Sequence, residues 1–153
     1  MEDAIFFEIT DGPDVIKIEP FQWAHAEAEL DWAKNWIRSK ITVKGGAFSG
    51  RFTCDLMTTD FELFKREFKK AYGNLKSTVT FKTIEGQIEI KRIGDGLGHF
   101  EVDCEAMDEA GTGNKLSVTM SFDQTAIPDL VTQLDNITKA FPIQDTELKV
   151  VNE

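Results

Sequence analysis

Strict alternation of apolar and polar residues is the feature that most constrains the fold of this chain. From Ile37 to Lys44, and again from Phe48 to Leu56, every second residue is apolar or small and its neighbours are polar or charged. Gly45-Gly46 separates the two stretches. A period of two puts alternate side chains on opposite faces of a strand, so the pattern predicts a hairpin with one buried and one solvated face. A sheet with one solvated face is typically antiparallel.

The period then changes from that of a strand to that of a helix. Residues 58–60 (Thr-Thr-Asp) offer N-cap side chains, aromatic residues then recur at helical spacing, and Gly73 marks a stop. These features predict an amphipathic helix over residues 61–72.

The second half of the chain repeats this order. Alternation predicts strands around residues 79–81, 88–90, 100–106 and 116–122, and a cap at residues 123–125 then precedes a predicted helix over residues 127–139. The two strand-to-helix junctions align at a constant offset of 66 residues, from Phe52 to Val118 and from Phe68 to Leu134. Two further strands are predicted over residues 5–9 and 15–18. A duplicated ββββα unit explains the offset, and a chance alignment of two amphipathic helices is the alternative.

We therefore predict an α+β fold with about seven or eight antiparallel strands, in one sheet or more, and two amphipathic helices. A chain of 153 residues is expected to form one domain. We assign residues 1–143 to that domain and expect residues 144–153 to be a flexible C-terminal tail. Six apolar residues in the second strand-helix unit and its counterpart should be buried: Phe64, Phe68, Val118, Met120, Leu130 and Leu134.

Charge is sorted along the chain by segment. The formal net charge is −10, made up of −8 over residues 1–31, +7 over residues 32–93 and −9 over residues 94–153. Such a net charge favours solubility and disfavours binding to nucleic acid or anionic membranes. Sorted charge predicts surfaces of opposite sign, which suit a protein partner, and a charge that serves solubility alone is the alternative. The start of the chain is acidic and no apolar run approaches the ~20 residues of a membrane span, so we expect a cytoplasmic protein that does not bind membranes.

The residues that support catalysis or metal binding are few. Cys54 and Cys104 lie in apolar alternation, which predicts buried thiols with raised pKa values, and His99 follows a glycine-rich turn. The turn at residues 94–98 lacks the Lys-Ser/Thr ending of a phosphate loop, and no His or Cys has metal-ligand spacing. We therefore predict no catalytic residue, no metal and no cofactor. A hydrolase using Asp95, His99 and Glu101 is the weaker alternative.

Interface residues are predicted from acidic side chains that do not fit a core face and from tryptophans beside them. Tryptophan is a common interface anchor, and rim charges steer association. The candidates for partner binding are Trp23, Glu27, Glu29, Asp31, Trp32, Glu105, Asp108 and Glu109.

The order of several motifs resembles a known family. These motifs are the hairpin through residues 48–52, Thr59-Asp60-Phe61, Thr83 to Ile88, Gly94 to Phe100, Asn114-Lys115-Leu116, Asp123-Gln124-Thr125 and a closing Phe141-Pro142. From Trp36 to Ile143 the chain is similar to the WapI-type immunity proteins, small bacterial proteins that neutralise the C-terminal toxin domain of a contact-delivered tRNase.

The resemblance implies a non-enzymatic cytoplasmic protein that binds and blocks a cognate toxin domain. A small-molecule-binding or regulatory module is the alternative from another class. The motifs themselves are turns and caps, which specify a fold and name neither the toxin nor an oligomeric state.

Overall fold

Eight strands and two helices form two successive ββββα halves. The computed structural model describes residues 5–144, without the side chains of Asp31 and Tyr72. The elements are β1 (Phe7–Asp11), β2 (Asp14–Trp23), β3 (Trp36–Gly45), β4 (Phe48–Met57), α1 (Thr58–Lys70), β5 (Thr78–Lys82), β6 (Ile88–Gly94), β7 (His99–Met107), β8 (Lys115–Asp123) and α2 (Ile127–Ala140). The predicted α+β class, the strand number and the two helices are confirmed. The C-terminal tail lies outside the described residues except for Gln144, and its flexibility stays a prediction.

Each half contributes one four-stranded antiparallel sheet. The strand order is β1-β2-β3-β4 in the N-terminal sheet and β5-β6-β7-β8 in the C-terminal sheet, so within each sheet every strand pairs with the next along the chain. Short turns favour this order at most of the junctions, because two strands joined by a few residues can pair only in antiparallel fashion. The turn between β3 and β4 has two residues, and Gly46 adopts a positive φ of 59° there. Strands β1, β4, β5 and β8 are the sheet edges.

An aromatic cluster on α1 joins the two sheets. Phe64 packs edge-on against Phe7 of β1 at 5.4 Å, against Phe68 at 5.3 Å and, in a tilted arrangement, against Phe81 of β5 at 5.0 Å between ring centroids. The six residues predicted to be buried are all buried. The core therefore lies between the inner faces of both sheets and the apolar stripes of α1 and α2.

Helix α1 begins three residues before the predicted start. The Asp60 carboxylate accepts a hydrogen bond from the backbone N–H of Met57 at 3.1 Å, so the capping side chain lies inside the first turn. The Thr58 hydroxyl donates to the carbonyl of Phe141 instead of capping the helix. The helix ends at Lys70, and a 3₁₀ turn at Ala71–Gly73 carries the chain to the predicted stop.

Arg92 is an unexpected member of the core. Alternation along β6 places it on the inner face, where 1% of its surface is exposed. Its guanidinium lies over the rings of Phe100 at 4.4 Å and Phe68 at 5.0 Å, and Nη2 donates to Ser77 Oγ at 3.0 Å. Within the described residues its Nε and Nη1 atoms have no hydrogen-bond partner. Burial without an acidic partner lowers the pKa of this arginine.

We expect Phe64→Ala to lower the free energy of unfolding by about 3–5 kcal/mol, because it leaves a cavity between the two sheets. Leu63→Ala is the matched control, since Leu63 is 48% exposed on the same helix, and it should cost less than about 1 kcal/mol. Urea denaturation of both variants measures the difference. Equal losses would contradict the assignment of the aromatic cluster as the joint between the sheets.

Candidate partner-binding site

The connection between β2 and β3 is the longest loop of the N-terminal sheet. We call residues 24–35 the β2–β3 loop. Its base is closed by a hydrogen bond from the backbone N–H of Ala24 to the carbonyl of Trp36 at 2.9 Å, and its second half is a short 3₁₀ helix over Asp31–Asn35. The Asn35 side chain accepts a hydrogen bond from the backbone N–H of Gln144 at 2.7 Å, which ties the loop to the segment after α2. The loop is therefore held against the fold at both ends.

The loop and the end of β2 display large apolar side chains next to acidic ones. Leu30 is 60% exposed, Trp32 51% and Phe21 52%, and Glu27 and Glu29 are exposed in the same segment. Exposed apolar residues close together are typical of interaction surfaces, so this segment is a candidate partner-binding surface. Exposed tryptophan with a charged rim is also the composition of an interface hot spot.

Trp23 and Trp32 have different roles in the structure. Trp23 is half-buried and packs edge-on against Phe141 at 5.2 Å between ring centroids, so it supports the base of the loop. Trp32 is the tryptophan that the loop displays. The side chain of Asp31 lies outside the described residues.

Phe21 was not among the residues predicted for partner binding. The pairing of β2 with β3 shifts register between Pro20 and Gln22, so Phe21 falls in a β-bulge. Ile16, Ile18 and Pro20 face inward, so alternation already places Phe21 on the outer face. The bulge instead turns Trp23 to the inner face, opposite Ile37. The proline before Phe21 is the sign of this bulge in the sequence.

The other three predicted interface residues lie at a different place. Asp108 and Glu109 are in the turn between β7 and β8, where the Asp108 carboxylate accepts the Asn114 backbone N–H at 2.8 Å. Glu105 lies on the outer face of β7 and forms an ion pair with Lys115 at 3.7 Å. This turn borders a cleft of about 220 Å³ with the first residues of β4. The β2–β3 loop adjoins the other end of the β3–β4 hairpin, ten residues or roughly 30 Å away. The structure therefore separates the predicted residues into two groups.

The outer faces of the two sheets differ in charge. On the N-terminal sheet the basic side chains Lys40, Lys44 and Arg51 lie together on β3 and β4, while the acidic Glu8, Glu19 and Asp55 pair with Lys17 and Arg38. The C-terminal sheet carries Glu89, Glu101, Asp103 and Glu105, with Lys91 among them and Lys82 and Lys115 on the edge strands. Each outer face thus carries both signs, with basic side chains in excess on the first and acidic side chains in excess on the second.

His99 has carboxylate neighbours that already serve the fold. Its Nδ1 lies 3.3 Å from Asp95, and its Nε2 lies 4.0 Å from Asp123. Asp95 accepts the backbone N–H groups of Leu97 and His99, and Asp123 accepts that of Thr125, which lowers the pKa of both carboxyls. Ser121 shares a cleft of about 340 Å³ with His99, but its hydroxyl contacts Asp11. Among the described residues no hydrogen bond joins Ser121 to His99, so a nucleophile–base pair is not formed there.

The remaining reactive groups are buried or dispersed. Burial raises the pKa of both Cys54 and Cys104 to about 12, as the apolar alternation predicts, and a thiol with such a pKa is a poor nucleophile. Over residues 5–144, no group of three or more His, Cys, Asp or Glu side chains is arranged to hold a metal ion. No helix in the described part of the chain is both long and apolar enough to cross a membrane.

Asp60 is the one described carboxyl whose pKa is clearly raised. Burial raises the pKa from 3.8 to about 6, against the opposing effect of the Met57 N–H. A pKa near neutrality suits a general acid, but this carboxyl caps α1 and does not line the clefts described above. Its role is structural, as the cap of the first turn of α1.

The folded pKa of Asp60 exceeds the unfolded value, so the folded state binds more protons and gains stability as the pH falls from about 7 towards 4. Asp60→Asn should remove this dependence. We expect the variant to exceed the wild type in stability by on the order of 1–3 kcal/mol at pH 7.5, with the difference vanishing near pH 4. Urea denaturation across this range measures it. Asp60→Ala, which also removes the cap acceptor, should be less stable than Asp60→Asn throughout. If Asp60→Asn were instead less stable than the wild type by the same amount at every pH, the charged carboxylate would be stabilising the helix start, and the prediction would be wrong.

Comparison with known proteins gives a family and a distant structural likeness. No curated protein matches the chain. Two solved structures are similar to it, "trypanosoma bruciei MRP1/MRP2" and a guideRNA-binding protein complex bound to a gRNA. Each has 9% identity and a TM-score of 0.49; the first covers 91% of this chain and 86% of its own, the second 90% and 92%. At that similarity they support no conclusion about this protein.

The comparison with protein families gives a match over most of the chain. The model of the "Immunity protein WapI-like family" matches residues 6–142, from the start of β1 through the end of α2. Because that match takes in both ββββα halves, the chain belongs to the WapI-like family of immunity proteins.

Proposed function

We propose that this protein protects its cell by binding and blocking a cognate toxin domain in the cytoplasm, without catalysis of its own. The observation that carries the proposal is the β2–β3 loop, which displays Leu30 and Trp32 beside Glu27 and Glu29 while both of its ends are tied to the fold. A loop held in place loses little conformational entropy when a partner binds, so more of the contact energy is retained as affinity.

The acidic surplus fits an inhibitor of an enzyme that acts on nucleic acid. Such a toxin must present a cationic surface to bind phosphates. An inhibitor with a net charge of −10 is attracted to that surface and competes with the nucleic acid for it. In this proposal Glu27 and Glu29 contribute to the attraction, and Trp32 anchors the complex. The mode of action needs no metal or cofactor.

We expect Trp32→Ala to accelerate dissociation from the toxin by about 30-fold, because a buried aromatic anchor contributes about 2 kcal/mol or more. Replacing Glu27 and Glu29 with glutamine should mainly slow association and flatten its salt dependence, because rim charges steer encounter. Stopped-flow mixing with the cognate toxin domain, over a series of salt concentrations, separates the two effects.

Two control variants locate the surface and test the absence of catalysis. Glu109→Gln neutralises an acidic residue at the distant β7–β8 turn and should leave both rate constants near the wild-type values. His99→Ala should still protect cells that express the toxin. If His99→Ala lost protection while its stability was unchanged, a hydrolase would be favoured. If the association and dissociation rate constants did not respond to the changes at residues 27, 29 and 32, the docking surface would lie elsewhere.

A further inference from the structure

The four edge strands of the two sheets differ in how their backbone groups are covered. On β1, the N–H of Glu8 donates to the Gln133 side chain of α2 at 2.9 Å. On β8, the N–H of Ser121 donates to the Asp11 carboxylate at 3.1 Å. Strand β5 is short, with five residues. An exposed edge is a template for pairing with another chain, and these three edges are capped or short.

Strand β4 is a ten-residue edge with an uncovered first half. Residues 48–53 are all exposed or half-buried. In the described part of the chain, no hydrogen bond outside the β3–β4 ladder involves any of them. The strand carries no proline, and its pairing with β3 continues without a register shift. Apart from the charge of Arg51, this segment lacks the proline, bulge or covering element that normally blocks an edge.

The turn geometry fixes which backbone groups face outward. Gly45 and Phe48 flank a two-residue turn, so they form a hydrogen-bonded pair, and hydrogen-bonded and non-hydrogen-bonded pairs alternate from there. Ser49, Arg51 and Thr53 are therefore in non-hydrogen-bonded pairs. Their N–H and C=O groups point away from β3, towards the open edge.

The two faces beside this edge have different chemistry. On the inner face Phe48 is 69% exposed, and it lines the cleft of about 220 Å³ together with Phe52 and Leu116. The outer face carries Arg51 and, one strand further in, Lys44 and Lys40. None of these three cations has an ion pair among the described residues. The nearby acids are engaged elsewhere: Asp55 with Arg38 at 3.4 Å, Glu19 with Lys17 at 3.9 Å, and Asp14 with the backbone of Gly46 at 2.9 Å.

We propose that residues 48–53 bind an extended segment of a partner protein as a fifth strand of the N-terminal sheet, and that this segment alternates apolar and acidic residues. Its backbone pairs with Ser49, Arg51 and Thr53. Its apolar side chains fill the cleft beside Phe48, and its carboxylates face Arg51 and Lys44. A strand added to an exposed edge takes affinity from the backbone and specificity from alternate side chains.

Charge selects this occupant over a second copy of the chain. Pairing two β4 edges would bring the cations of both outer faces together, and like charges across neighbouring strands are destabilising. The edge lies at the opposite end of the β3–β4 hairpin from the β2–β3 loop. The proposal therefore does not depend on toxin binding through that loop.

The test uses an eight-residue peptide of alternating valine and glutamate, blocked at both ends, titrated into the full ¹⁵N-labelled protein. We expect the amide resonances of Ser49, Arg51 and Thr53 to shift most and their hydrogen exchange to slow. A peptide with lysine in place of glutamate should bind about tenfold more weakly. A third peptide is the glutamate peptide with methyl groups on the alternate backbone nitrogens that would face β4. It should not bind, because it lacks the N–H donors that pair with the strand.

Arg51→Glu should weaken binding of the glutamate peptide and strengthen that of the lysine peptide. Lys82→Glu reverses one exposed charge on the β5 edge and is the matched control; it should change neither affinity. Three results would each overturn the proposal. The resonance shifts could be centred away from residues 48–53, or the three peptides could bind with equal affinity. The protein could also form dimers in sedimentation that are lost in the Arg51→Glu variant.

Discussion

The contact of Phe64 with Phe7 and Phe81 is the interaction on which the arrangement of this protein depends. Phe7 belongs to the first sheet and Phe81 to the second, and α1 carries the ring that touches both. Each sheet alone would expose one apolar face, so neither half is complete without the other. Once α1 fixes the sheets, the outer faces, the β2–β3 loop and the β4 edge remain available to partners.

Most of the fold could be predicted because alternation and helical spacing are local properties of the sequence. The strands and both apolar stripes followed directly from them, and the offset between Phe52 and Val118 anticipated the two ββββα halves. The predicted start of α1 is three residues too late because Asp60 does not precede the helix. It lies in the first turn, and its carboxylate accepts the backbone N–H of Met57, the residue before the helix. The burial of Arg92 follows the alternation of β6, but its aromatic partners Phe68 and Phe100 come from distant parts of the chain, which no local pattern identifies.

The candidate site was predictable in composition and not in arrangement. The sequence pointed to tryptophans and acidic residues, but it could not show that Trp23 supports the loop while Trp32 is displayed. Nor could it show that Glu105, Asp108 and Glu109 lie near the opposite end of the β3–β4 hairpin from that loop. These distinctions depend on tertiary contacts and on a β-bulge. Family membership establishes an immunity protein, and the displayed loop supports a mode of action by binding.

The central claim, neutralisation by binding, is tested most directly by titrating the activity of the cognate toxin domain with this protein at toxin concentrations well above the dissociation constant. Binding predicts a linear loss of activity that reaches zero at a fixed molar ratio and does not change with incubation time. Substoichiometric protein that abolishes the toxin's activity progressively with time would show that it modifies or destroys its target. That result would contradict the account.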